Sequence, residues 1–364
     1  MKSFLKLAWR NLWRNRKRTL ITLTSVTMAV LLAVAISSLQ EGVYDNMISN
    51  AVRFSTGYIQ VHANGYWDDK SINNTFAPTP AFDSALSAEP SISLAVPRLE
   101  SFALASSGPH TKGVAVWGID PVKENRMHVI ADRIVEGKYL SGSADSGVIL
   151  GDALARYLRL GVGDTLVLLG QGYHGSTAAG QFVVQGLFHF PVDELNNSMV
   201  YLSLPMAQQL FAAPDRLSSM SLILSASGNR SLTALTQRLR QKLGTDWEVM
   251  PWQSMNRELV QQISGDRSGG LVMLGILYLV VAFGVFGTIL MMTVERKKEF
   301  AVMIAIGMHR SWITFVVFLE TCFIGALGIL TGILLILPIL WYVHLHPIAL
   351  TGNTAETYQQ FGIE

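Results

Sequence analysis

The sequence predicts an α-helical polytopic membrane protein with a large mixed α/β extracytoplasmic domain, and three observations carry that expectation. Half of the 364 residues are apolar, only 15% are charged and the mean hydropathy is +0.33, a balance unusual for a soluble globular chain. Three stretches are almost free of charge: Thr19 to Gln40, Ser268 to Val294, and Ser311 to Ala355 with Glu320 as its sole interruption. Each exceeds the roughly 20 residues needed to cross ~30 Å of hydrocarbon at ~1.5 Å per residue. The third observation is where the charges lie. Residues 1–18 hold seven basic side chains and no acidic one, whereas 41–267 holds 17 Lys/Arg against 21 Asp/Glu.

Taken in order, residues 1–18 read as a cytoplasmic basic amphipathic helix. Its cations fall four apart, and Trp9, Arg10, Trp13 and Arg14 suit a helix lying on the inner leaflet, tryptophans at headgroup depth and cations toward anionic lipid. A cleaved signal peptide is the bland alternative, but its apolar region spans roughly 7 to 15 residues and this run has 22. Residues 19–40 form the first membrane helix, leaving the N-terminus in the cytoplasm by the bias of basic residues. Residues 41–268 form the outer domain. Its alternating stretches 58–62, 113–117, 165–169, 181–187 and 220–224 read as strands, and 203–211 and 231–243 as helices, the former with Pro205 near its start. Residues 269–294 form the second membrane helix, 295–311 a cytoplasmic elbow and 312–343 the third membrane helix, with 344–364 outside again.

The elbow, ERKKEFAVMIAIGMHR from Glu295 to Arg310, opens with alternating charges, Glu295, Arg296 and Glu299 among them. It continues through an apolar face of Phe300, Met303 and Ile304, and closes on Gly307, the residue a helix prefers just past its end. Such a segment suits docking into a groove on a soluble partner beneath the membrane.

The elbow resembles the E-R-x-x-E-[IF]-[GA]-x-x-x-A-[LI]-G signature of permeases of the MacB, LolC/LolE and FtsX group, the type VII ABC superfamily. LKLAWRNLWRNRKRTLITL, Leu5 to Leu23, is similar to that family's A-x-R-N-L-x-R-N-x-x-R-[ST] entry into its first membrane helix. WGIDP at Trp117–Pro121, EGKYL at Glu136–Leu140 and VILGDALARYLRLGVGDTLVLL at Val148–Leu169 agree more loosely, so the resemblance covers nearly the whole chain. It implies a MacB-like periplasmic core with an inserted lobe near 111–214, a bacterial inner-membrane location and four membrane helices. A fourth helix is therefore expected beyond the C-terminus, the 364 residues being a truncated form. It also implies two copies of a cytosolic ABC ATPase as partners and a second permease copy or paralogue. A periplasmic carrier, adaptor or enzyme would be a further partner.

Motifs for chemistry are missing. There is no G-x-x-x-x-G-K-[ST], G-x-S-x-G or H-E-x-x-H, so the chain is expected to be a non-catalytic subunit that binds no cofactor or metal, with ATP and Mg on the partner. The lone cysteine, Cys322, reads as packing, and His344 and His346 beside Trp341 and Tyr342 as an aromatic belt. The charge balance gives no reason to expect nucleic acid. Glu320 is the one ionisable residue inside a span, where an unpaired charge costs a few kcal/mol or more. It must be protonated, paired or facing water, either as a contact in the permease core or as a residue satisfied by Thr321 or a neighbouring hydroxyl. Gly325, Gly328 and Gly332 fall at small-residue spacings that permit close helix approach, with a second subunit one such partner.

The expected function is a permease subunit that couples ATP hydrolysis on a partner chain to movement of a periplasmic domain, in lipoprotein release or export of a hydrophobic substrate. An FtsX-like regulator of a periplasmic enzyme is the alternative, and a membrane-anchored sensor outside the ABC class a second.

Overall fold

The computed structural model of the protein describes residues 2–14, 16–52, 56–190, 193–225 and 232–346. They divide into two compact units, one drawn from 1–44 and 261–349, the other from 45–260. The expected outer loop and fourth helix, beyond His346, lie outside the described residues.

The chain begins with α1 (Lys2–Arg14) and α2 (Arg16–Ala51). Arg16, Lys17 and Arg18 thus open the membrane helix rather than close the amphipathic one. The α2 helix also runs past Gln40 to Ala51, because leaving hydrocarbon gives a helix no reason to stop where the sequence offers no proline.

The domain follows with β1 (Ile59–Ala63), α3 (Pro80–Ser87), β2 (Ile92–Ser107), β3 (His110–Ile119), α4 (Pro121–His128), β4 (Ile134–Gly137), β5 (Val148–Gly151) and α5 (Asp152–Leu158). It continues with β6 (Thr165–Gln171), β7 (Thr177–Phe188), α6 (Asp193–Ser198), β8 (Met199–Ser203), α7 (Leu204–Leu210), β9 (Ser219–Leu224), α8 (Leu232–Leu243), β10 (Trp247–Pro251) and the short α9 (Trp252–Met255). Among the described residues, ten strands form one sheet, nine of them in the order β10-β1-β9-β2-β3-β8-β5-β7-β4. The remaining strand, β6, pairs with both β2 and β7, and so closes β2-β3-β8-β5-β7-β6 into a ring.

Alternation along these strands turns one face of each into the ring's core. Leu99, Ala103 and Ala105 of β2, Val114 and Val116 of β3, Leu166 and Leu168 of β6 and Val200 and Leu202 of β8 are buried together, with Leu154 and Leu158 of α5. A second core joins β1, β9 and β10 to α3 and α8 through Val61, Phe82, Leu222, Leu235, Leu239 and Val249. The ring closes through β2, which precedes the lobe expected at 111–214 and serves both cores.

Across the ring's other face, Arg98 of β2 is fully buried. Its guanidinium donates to Glu124 of α4 at 2.8 and 3.2 Å, approaches His128 Nε2 at 2.8 Å and lies 4.6 Å from the Trp117 ring. The helix that brings Glu124 and His128 there starts on Asp120, whose carboxylate accepts from the amides of Val122 and Lys123, with Pro121 in its first turn. Burial, with the Arg98 charge beside it, holds the His128 imidazole neutral well below its usual range. Unfolding frees it to bind a proton below pH ~6.5, so stability is lost as pH falls through that value. His128→Gln should therefore flatten the decline of the thermal midpoint between pH 7 and pH 5.5, read in detergent. Equal slopes for both proteins would remove His128 from the balance.

The chain ends its described part with α10 (Arg257–Glu295), α11 (Lys297–Ala305) and α12 (Arg310–Leu345). The helices α2, α10 and α12 are long and apolar enough to cross a membrane. The α10 helix starts well before Gly269, since Arg257 to Ser268 offers no breaker beyond Gly265.

Candidate functional site

The start of α2, the end of α10, the elbow and the start of α12 meet at one end of the membrane unit through ion pairs. Arg18 pairs in a bidentate manner with Glu295, and Arg14 with Glu299. Arg296 reaches Glu320 with Nη1, at 3.0 Å from Oε1 and 2.9 Å from Oε2, and Asn11 donates to the same carboxylate at 2.7 Å. Arg296 also lies 3.4 Å from Glu299 and 5.2 Å from the Phe300 ring, so it links the elbow to α12. The Arg14 guanidinium, hydrogen bonded to Glu299, holds that carboxyl below the usual glutamate range.

Of the three ways to satisfy Glu320, the structure uses pairing. Its partners are an arginine and an asparagine, whereas the Thr321 hydroxyl turns back to the Val317 carbonyl. Asn11 was silent in the sequence. An amide on the apolar side of a membrane-surface helix was the available signal, because such a group needs a polar partner.

The elbow folds as α11 and closes as expected on Gly307, whose φ of +104° is reached by glycine without strain. Met308 N–H bonds to Met303 O and Gly307 N–H to Ile304 O, both at 3.0 Å, which is the Schellman arrangement. Its faces differ from the expected docking surface. Phe300 is only 9% exposed and Met303 half-buried, both lining a cleft of about 340 Å³ with Leu7, Asn11, Val302 and Val316, while Ile304 remains exposed. Glu295 and Glu299 are likewise occupied within the chain, so the motif's acids and its phenylalanine brace the elbow.

The amphipathic helix is drawn into the same assembly. Ala8 and Leu12 are buried, Thr19 Oγ1 donates to Leu12 O at 2.7 Å, and Trp9 meets Phe323 of α12 edge-on at 5.8 Å. Trp13 and Arg10 stay exposed, as a membrane-surface role asks, but Arg14 turns to the elbow.

The glycines divide. A Cβ on Gly328 would fall 2.6 Å from Val26 Cγ1, and one on Gly332 2.9 Å from Val30 Cβ, both on α2. Thr27 seals this crossing with bonds to Thr331 at 2.7 Å and to the Gly328 carbonyl at 3.3 Å. The close approach that Gly328 and Gly332 make is to α2 of the same chain. Gly325 faces open space among the described residues and packs no helix there. Cys322 is exposed on α12 rather than packed.

The family model of the MacB-like periplasmic core domain matches residues 19–242, and that of the FtsX-like permease C-terminal matches 271–363. The chain belongs to the MacB, LolC/LolE and FtsX group of ABC-transporter permeases. The permease is 26% identical over 251 residues to the lipoprotein-releasing system transmembrane protein LolC of Neisseria meningitidis, covering 66% of this chain and 59% of LolC. It is 23% identical over 261 residues to the LolE protein of Haemophilus influenzae, covering 70% and 62%. The permease thus spans less than two thirds of the length of these curated relatives. Among solved structures, the periplasmic region of MacB from Actinobacillus actinomycetemcomitans aligns with 58% of the permease and 94% of its own length, at 13% identity and a TM-score of 0.40.

Proposed function

We propose that this chain is the non-catalytic permease subunit of a bacterial ABC transporter. ATP hydrolysis on a cytosolic partner would move the braced elbow, and with it α2 and α10, to reshape the periplasmic-type domain. The observation that carries this reading is the bracing itself. Three carboxylates and three arginines tie the elbow to α1, α2 and α12, so a push on it is delivered to the helix bundle rather than absorbed by a loose loop. Similarity to LolC and LolE favours lipoprotein release over efflux. ATP and Mg would sit on the partner, present in two copies, with a second permease completing the complex.

The reading is tested by purifying the permease in mild detergent. A copurifying ATPase whose turnover depends on the permease supports it, and a permease that returns alone overturns it. The orientation is tested by thiol labelling in spheroplasts. Cysteines placed singly at exposed Ser84 and Ser143, in a Cys322→Ala background, should react with an impermeant reagent, and one at Lys6 should not. Labelling at Lys6 alone would invert the topology.

A further inference from the structure

The cleft of about 340 Å³ beside the elbow is built for an amphiphile. Its walls are apolar, made by Leu7 of α1, Phe300 and Met303 of α11, Met308 just beyond, and Ile313 and Val316 of α12. Its polar lining, Asn11, Arg14, Arg296 and Glu299, is one bonded cluster, because Arg14 and Arg296 both reach Glu299 while Arg296 and Asn11 share Glu320. The depth is that of the boundary between headgroups and acyl chains. Val316 stands six residues into α12 from Arg310, about 9 Å at ~1.5 Å per residue, and α1 has the amphipathic pattern of a helix at that level. Positive charge is in excess here. Glu295, Glu299 and Glu320 each have a partner inside the chain. Arg10, three residues past Leu7 and four before Arg14, shares their helix face, and Arg310 stands one turn before Ile313. Both are exposed and, among the described residues, form no ion pair.

We propose that this cleft binds a phospholipid with an anionic headgroup. One acyl chain lies among Leu7, Phe300, Met303 and Ile313. The phosphate is held by Arg10 and by Arg14, which gives Nη2 to Glu299 but keeps 52% of its side chain exposed and has further N–H donors to offer. Acyl chains are the apolar medium at this depth, so a chain enters the slot without first leaving water, as a protein segment would have to. Two methionines line the slot, and unbranched side chains of this kind fit themselves to a guest with no fixed shape. The volume lies at the small end of the ~300–1,000 Å³ range of ligand cavities, which suits a single chain. A lipid seated there packs α11 against α1 and α12 in addition to the ion pairs, so the stiffness of the elbow depends on the composition of the leaflet.

The site lies wholly within the membrane unit and rests on the spans, not on the proposed function. The test reconstitutes the full chain in phosphatidylcholine vesicles holding a trace of phosphatidylglycerol with a photoreactive diazirine midway along one acyl chain. After illumination, adducts mapped by peptide mass spectrometry should concentrate on Met303, Met308 and Ile313. The same diazirine chain on phosphatidylcholine should label them less, by roughly fivefold for each cation the headgroup engages. Arg10→Gln should remove about fivefold of that preference while leaving the ion pairs of the elbow in place. Met303→Trp fills the slot and should abolish the cleft adducts without changing those on exposed residues of α10, and Ile313→Phe, from another wall, should do the same. Adducts spread evenly along the spans would overturn the proposal, as would equal labelling from the two headgroups or undiminished cleft labelling in both filled variants. Copurification of an ATPase, read on the same preparation, decides the proposed function separately.

Discussion

Gly328→Leu should leave little folded permease in the membrane. At this position even the first carbon of a side chain meets Val26 Cγ1 at 2.6 Å and Val26 Cβ at 2.7 Å, and a β-branched neighbour has no free rotamer into which to retreat. The helices α2 and α12 must move apart. Separation breaks the Thr27 bonds to Thr331 and to the Gly328 carbonyl, and it reopens the packing of Gly332 on Val30. Overpacking of this kind costs about 1–3 kcal/mol before lost hydrogen bonds are counted. The measurement is the fraction remaining monodisperse after heating in detergent. Adding Val26→Ala should restore part of the loss, since it removes the atoms that collide. Gly325→Leu is the internal control, and being set in open space it should cost little. A stable Gly328→Leu protein would mean that α2 and α12 do not cross there.

Glu320→Leu should be nearly as damaging, through charge rather than volume. The change leaves the Arg296 guanidinium, 16% exposed, without the carboxylate that accepts two of its bonds, and leaves the Asn11 amide without an acceptor. Removing one partner of a buried pair typically costs about 3–5 kcal/mol, because the remaining charge is stranded. Glu320→Gln should be milder, as its amide oxygen can still accept from Asn11 and Arg296. The decisive variant is the double change Glu320→Leu with Arg296→Leu. If stranded charge is the cause, the double variant is more stable than Glu320→Leu alone, even while ATPase coupling stays low because the elbow has lost its tie to α12. Thermal stability and ATPase stimulation, read side by side, separate the two roles. Wild-type values of both in Glu320→Leu would show that the carboxylate is merely tolerated.

The spans and the elbow were legible because their signals are local. An uncharged run over 20 residues long is a membrane helix by length alone, and Gly307 marks the end of α11 by its own backbone. Four of the five strands read from alternation lie within β3, β6, β7 and β9, and the fifth, 58–62, overlaps β1 in all but its first residue. Missed elements were those whose pattern is mixed by a change of surroundings. Along β2 the first half faces one core and the second half another, so no single alternation runs through its sixteen residues, and Pro97 further disguised it. At the candidate site, the sequence singled out the elbow but did not show which way its faces turn. The repeat of Phe300, Met303 and Ile304 is compatible with docking outward or inward, and only the position of α1 and α12 decides that Phe300 turns in. The pairing of Arg14 with Glu299 and Arg18 with Glu295 joins positions nearly 300 residues apart, which no spacing rule reaches.

The length of β2 bears on how the domain responds to force. Its sixteen residues, about 50 Å of extended chain, are held by β9 over Ile92–Arg98 and by β3 over Arg98–Ser107. A load applied at β9 and resisted at β3 therefore acts along the strand axis, and the hydrogen bonds are sheared together instead of being unzipped one at a time. A tie rod of this kind stretches little before it fails, and it joins the β1-β9-β10 end directly to the ring.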